Sequence, residues 1–133
     1  MELKGKIGVV ACAGMDKAVG SVACLSAFKV CENLRPDKTE LICLPPMLTG
    51  VSPYPELAKN LPIIAIDGCA QRCSTKLIVK NGGKIKGRVL ISDISKKQNL
   101  TLGPASNIGA DGEKLAEIVA QEIANMIDKV GES

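Results

Sequence analysis

The chain has 133 residues, enough for one domain with its own core, and 46% of them are hydrophobic. A net charge of +3, one Phe, one Tyr and no Trp do not supply the basic stripe or aromatic platforms typical of nucleic-acid-binding domains, so we expect no nucleic-acid partner. The absence of histidine excludes His-dependent acid–base catalysis and every zinc site that needs an imidazole ligand.

The chain has six cysteines, an unusually high number. In an exported protein they would indicate disulfides, and in a reducing compartment they indicate metal or redox chemistry. The apolar run 7–11 before Cys12 has about five residues, whereas a signal peptide needs roughly 7–15. No segment approaches the roughly 20 apolar residues of a membrane span. We therefore expect a cytoplasmic protein with reduced thiols and no membrane partner, a setting in which clustered cysteines indicate metal or redox chemistry.

The first half of the chain alternates strand and helix patterns. An apolar run predicts a strand at 6–11, and Asp16 is the expected N-cap of a helix that runs to about Leu34. A second short strand is predicted at 40–44. Pro45-Pro46 is then expected to open a loop, with a short helix near 55–59.

The second half continues the alternation. The apolar run 61–66 predicts a third strand, followed by a helix from about Cys69 to the stop signal Asn81-Gly82-Gly83. A fourth strand is predicted within 84–94 and a long loop at 95–110. Asp111 is expected to cap the last helix, which carries regularly spaced apolar residues.

This order of elements predicts one α/β domain over residues 1–133. Strand–helix alternation indicates a parallel sheet with right-handed crossovers. We expect a small doubly wound, flavodoxin- or Rossmann-like sheet of about four strands, in the order 2-1-3-4, with helices on both faces.

Four of the cysteines follow strand ends. Cys12 follows the first strand, Cys43 ends the second, Cys69 lies just past the third, and Cys73 is four residues further on. Sites in open parallel sheets form beyond the carboxyl ends of the strands, so topology predicts that these four thiols meet at one edge. Cys24 and Cys31 instead fall on the expected buried stripe of the first long helix, where cysteine usually fills space.

The segment around Cys69 has two further candidates. If Cys69 and Cys73 share the first turn of a helix, their sulfurs face the same way, and the helix N-terminus favours thiolates. Gly68 would let the backbone pass close to a bound centre. Asp67 is either the cap of this helix, which we favour, or an oxygen ligand.

The segment Asp67-Gly68-Cys69-Ala70-Gln71-Arg72-Cys73 resembles the signature of the DGC-domain family, whose members are described as zinc-binding and which is named for its central Asp-Gly-Cys. The turn Cys12-Ala13-Gly14 and the strand end Leu41-Ile42-Cys43-Leu44 match further features of that family. The family pattern often has Ser after the first cysteine and Pro after Asp-Gly-Cys, where this chain has Ala13 and Ala70. The resemblance implies that Cys12, Cys43, Cys69 and Cys73 chelate a metal, and it implies no reaction.

We therefore predict a metal-binding protein whose four thiolates hold a zinc ion or an iron–sulfur cluster, either 4Fe–4S or 2Fe–2S. The alternative is a thiol or persulfide carrier, or a redox protein, that uses Cys69 and Cys73. Either role would suit a partner protein that exchanges metal or sulfur with the chain. Whether the chain is an enzyme stays open at this stage.

Overall fold

The computed structural model describes residues 5–12 and 16–132. Four parallel strands form one sheet in the order β2-β1-β3-β4. Their bounds are β1 Ile7–Ala11, β2 Thr39–Leu41, β3 Pro62–Asp67 and β4 Lys84–Leu90. The predicted α/β class, parallel sheet and strand order are confirmed.

Helices connect the strands and cover the sheet. A π-helical segment, Lys29–Leu34, continues α1 without a break. The α-helices are α1 Ala18–Phe28, α2 Leu44–Thr49, α3 Tyr54–Asn60, α4 Cys73–Lys80, α5 Ile91–Gln98 and α6 Gly109–Glu132. Within the described ranges, no helix combines the length and the apolar character that crossing a membrane would require.

Both faces of the sheet are buried, which explains why the central strands are apolar throughout. Successive side chains of a strand point to opposite faces. Val9 and Ile64 pack with α1 and α6 on one face. Val10 and Ile63 pack with α2, α3 and α4 on the other. Two apolar layers therefore hold β1 and β3, and with them the edge of the sheet that carries the predicted site.

β4 lies within the predicted range and ends at Leu90, because its neighbour β3 ends at Asp67, the residue that pairs with Leu90. One backbone hydrogen bond, from the Ser92 amide to the Gly68 carbonyl at 3.0 Å, follows beyond the two strands. The chain then enters α5, a helix that the sequence did not predict, and the long connection shrinks to 99–108. Asp111 lies in the first turn of α6, where its carboxylate accepts a hydrogen bond from the Thr101 amide at 3.0 Å and so holds this connection.

Two further predictions of local structure are wrong. Lys17, not Asp16, is the N-cap of α1, and no side chain caps this helix. Pro45 and Pro46 lie in the first turn of α2 instead of opening a loop. Proline is tolerated there because the amides of a first turn have no partner within the helix.

Candidate functional site

The four predicted cysteines lie beyond the carboxyl ends of the strands. Cys12 directly follows β1, and its amide donates to the Ile66 carbonyl of β3 at 3.0 Å. Cys43 lies between β2 and α2. Cys69 follows β3 and Cys73 is the first residue of α4. Parallel topology thus brings four positions that are far apart in sequence to one edge of the sheet.

Three of these cysteines line one cavity of about 160 Å³ between the start of α1 and the turn after β3: Cys12, Cys69 and Cys73. Cys12 is only 8% exposed, Cys69 is half-buried and Cys73 is exposed. The ammonium of Lys17 lies 3.9 Å from the Cys69 sulfur, and Lys17 also lines the cavity. A cation and the start of an 11-residue helix therefore face this thiol pocket.

Cys43 lies on the other side of Cys12, in a groove between α1 and the edge strand β2. Cys12, Cys24 and Cys43 all line this groove. The Cys24 thiol donates to the Cys12 carbonyl oxygen at a sulfur–oxygen distance of 3.8 Å. Burial raises the pKa of the Cys24 thiol, and the neighbouring Cys12 and Cys43 raise this pKa further. Cys12 thus belongs to two sets of cysteines, the set that lines the cavity and the set that lines the groove.

Cys24 corrects the sequence analysis, which assigned it to the core. The helix buries a different face, formed by Gly20, Val22, Ala23, Ser26 and Ala27. This face packs on α6, where the Ser26 hydroxyl lies 3.5 Å from the Ala116 carbonyl oxygen. Cys24 is exposed at the groove. Cys31 is half-buried against the core, in agreement with the prediction.

The turn from Cys69 to Cys73 also differs from the prediction. The helix begins at Cys73 and not near Cys69, so the two cysteines do not share a helical turn. Between them, the Arg72 amide donates to the Cys69 carbonyl at 3.1 Å, and Arg72 has a φ of 54°. Cys73 alone occupies the helix N-terminus.

Asp67 caps α4 through its side chain, as favoured from the sequence, although the N-cap position itself is Arg72. The Asp67 side chain is fully buried. One carboxylate oxygen accepts from the amides of Ser74 at 2.9 Å and Thr75 at 3.4 Å, and the other accepts from the Thr75 hydroxyl. These bonds satisfy the first turn of α4 and explain its late start. The alternative role of Asp67, that of an oxygen ligand, stays a prediction.

Gly68 is needed for contact between protein segments. A β-carbon here would lie 3.0 Å from the Val19 carbonyl carbon and 3.1 Å from the Gly20 nitrogen. The missing side chain therefore lets the turn after β3 pack on the start of α1. The close approach predicted for Gly68 is thus to helix backbone, and its contact with a cofactor stays a prediction.

The donor chemistry fits a thiophilic metal more closely than the side-chain positions do. All six cysteines, each within the described ranges, are free thiols. Thiolates are the ligands of zinc and iron–sulfur centres. Within residues 5–12 and 16–132, however, no three or more His, Cys, Asp or Glu side chains are placed to hold a metal ion. The chain therefore fits a metal centre in the type of its ligands and in their position at one edge of the sheet.

Two residues of the site were missed in the sequence. Lys17 is 52 positions from Cys69, and no local pattern connects them. Cys24 had a detectable signal, because Val22, Ala23, Ser26 and Ala27 form a second apolar stripe that turns Cys24 outward.

Comparison with known proteins identifies one family. A family model for the DGC domain matches residues 8–130, a range that contains all six cysteines. No curated protein and no solved structure matches the chain.

Proposed function

This chain belongs to the DGC domain family, and from that premise we propose that it binds a thiophilic metal centre, a zinc ion or an iron–sulfur cluster, through the thiolates of Cys12, Cys43, Cys69 and Cys73. The observation that carries the proposal is the cavity lined by Cys12, Cys69 and Cys73, with Cys43 beyond the neighbouring strand end. Without histidine, sulfur is the soft ligand that this chain offers.

The surroundings of the cavity suit such a centre. Four thiolates around a divalent zinc ion leave a net negative charge. The Lys17 ammonium and the N-terminus of α1 supply positive charge at the same cavity, which the acidic Asp16 also lines. The volume of about 160 Å³ is below the roughly 300–1,000 Å³ of pockets that take drug-sized ligands, which favours an ion or a small cluster over a nucleotide.

The two apolar layers favour a functional centre over a purely structural one. Structural zinc is typical of small domains that do not fold without metal. Here β1 and β3 are buried on both faces by apolar side chains. The bound centre would supply electron transfer if it is a cluster, or a transferable ion if it is zinc. The exposed Cys43 and Cys73 would be open to a partner protein that exchanges metal or sulfur.

Metal analysis and an absorption spectrum of protein purified without oxygen test this proposal. We expect either a stoichiometric amount of zinc in colourless protein, or iron and sulfide with a broad visible band. With one Tyr and no Trp, the polypeptide contributes little absorption of its own.

Single Cys→Ser variants then assign the ligands. Variants of Cys12, Cys43, Cys69 and Cys73 should lose the metal. Cys31→Ser is a matched control, because Cys31 packs against the core and lines neither the cavity nor the groove. Wild-type protein that binds neither zinc nor a cluster, from the cell or after reconstitution, would refute the proposal.

The hydrogen bond from Lys17 to Cys69 favours one second candidate, thiol or persulfide chemistry. The Lys17 ammonium, 3.9 Å from the Cys69 sulfur, is placed to stabilise negative charge that develops on this sulfur in a reaction. Lys17→Ala should then slow the alkylation of Cys69 by iodoacetamide in metal-free protein and leave that of Cys31 unchanged. Equal Cys69 rates in the variant and the wild type would count against this candidate.

A further inference from the structure

Cys24 is an exposed cysteine on α1, and the packing of this helix does not explain it. The buried face of α1 is complete without it, because Val22, Ala23, Ser26 and Ala27 make the contacts. Exposed free thiols are reactive, so a surface position gives cysteine no advantage over serine or alanine. Space filling therefore does not account for Cys24.

The position of Cys24 relates it to the proposed ligands. Its thiol points at the end of β1, 3.8 Å from the carbonyl oxygen of Cys12. Cys24 lines the same groove as Cys12 and Cys43. Three cysteines, one directly after β1, one in α1 and one at the β2–α2 junction, thus border one groove.

We propose that Cys24 is a further metal-binding residue of this protein, a fifth thiol that binds a thiophilic ion together with Cys12 and Cys43. This inference rests on the proposed function and extends it from four thiols to five. Cys24 loses its thiol proton to solvent when it binds, as thiol ligands do. Because zinc takes four ligands, five thiols around Cys12 offer the ion alternative sets on the two sides of that residue.

Alkylation mapping tests the proposal directly. Reduced, metal-free protein is treated with iodoacetamide under argon, with and without saturating Zn²⁺, and the modification of each cysteine is followed by peptide mass spectrometry. We expect Zn²⁺ to slow the alkylation of Cys24 together with that of Cys43, while the rate at Cys31 is unchanged. Protection of Cys43 with no protection of Cys24 would overturn the inference and leave the proposed function standing.

A variant gives the matching affinity measurement. Cys24→Ser removes the ligand sets that contain Cys24 and should raise the Kd for Zn²⁺, by about twofold if the two sets bind equally well. Cys31→Ser should leave the Kd unchanged. Because Cys24 is exposed, its variant should keep the wild-type circular dichroism spectrum and urea midpoint. If wild type binds Zn²⁺ and the Cys24→Ser Kd is unaltered, only this inference fails; if wild type binds no metal centre, the proposed function fails with it.

Discussion

Replacing Asp67 by alanine should destabilise the protein more than any exposed acidic substitution, because this carboxylate closes the junction between β3 and α4. Its two oxygens accept from the Ser74 amide, the Thr75 amide and the Thr75 hydroxyl. The side chain is fully buried, so water does not replace the lost acceptor without rearrangement. Two residues of the proposed site, Cys69 and Cys73, lie within the segment that these bonds close.

The magnitude follows from the groups left without a partner. Loss of a helix cap costs about 0.5–2 kcal/mol, and a buried donor without an acceptor costs about 1–3 kcal/mol. These costs arise at one helix end and do not add in full. We therefore expect Asp67→Ala to lower the free energy of unfolding by about 2–4 kcal/mol, a large part of the roughly 5–15 kcal/mol of a typical domain.

Urea unfolding at neutral pH, followed by circular dichroism, measures this difference. Asp67→Asn should lose less than alanine because its amide oxygen still accepts from the Ser74 N–H. Asp93→Ala is the matched control, since Asp93 is an exposed residue in the first turn of α5, and it should stay within about 0.5 kcal/mol of wild type. If Asp67→Ala were as stable as the control, the capping role of this carboxylate would be wrong.

Three other outcomes are expected. Gly68→Ala should cost about 1–3 kcal/mol in urea unfolding, because its β-carbon would press on the α1 backbone. Gly131→Ala, in open space near the end of α6, should not destabilise the protein and should add at most about 1 kcal/mol of stability. The Arg35 guanidinium holds the pKa of Asp128 at about 2, below its ordinary 3.8. Wild type should therefore be more stable than Asp128→Asn above about pH 4, and this difference should vanish as the pH falls through about 2. A stability difference that does not change with pH would contradict this. Removing metal with a chelator should leave the circular dichroism of a folded α/β protein, and an unfolded apo-protein would make the centre structural.

Much of the architecture follows from local patterns in the sequence. The apolar runs of β1 and β3 are buried on both faces, so they are recognisable without alternation. Once strands and helices alternate, the chirality of crossovers leaves few sheet orders, and the order 2-1-3-4 proved correct. The edge position of Cys12, Cys43, Cys69 and Cys73 follows as well, because each lies within a few residues of a strand end.

The errors arise where a distant segment decides between two local choices. The sequence predicts no helix at 91–98, but these residues form α5, because β3 ends at Asp67 and its pairing with β4 ends at Leu90. Helix α4 starts at Cys73 because the buried carboxylate of Asp67 takes the amides that follow.

The sequence by itself therefore determined the fold class and the sheet edge at which four thiols collect, since both depend on patterns within single elements. Only the tertiary structure decided that Lys17 reaches Cys69 and that Cys24 faces Cys12. Helix α1 has two apolar stripes, and packing on α6 selects the one with small residues because they allow close approach. That selection turns Cys24 away from the core and into the groove beside Cys43.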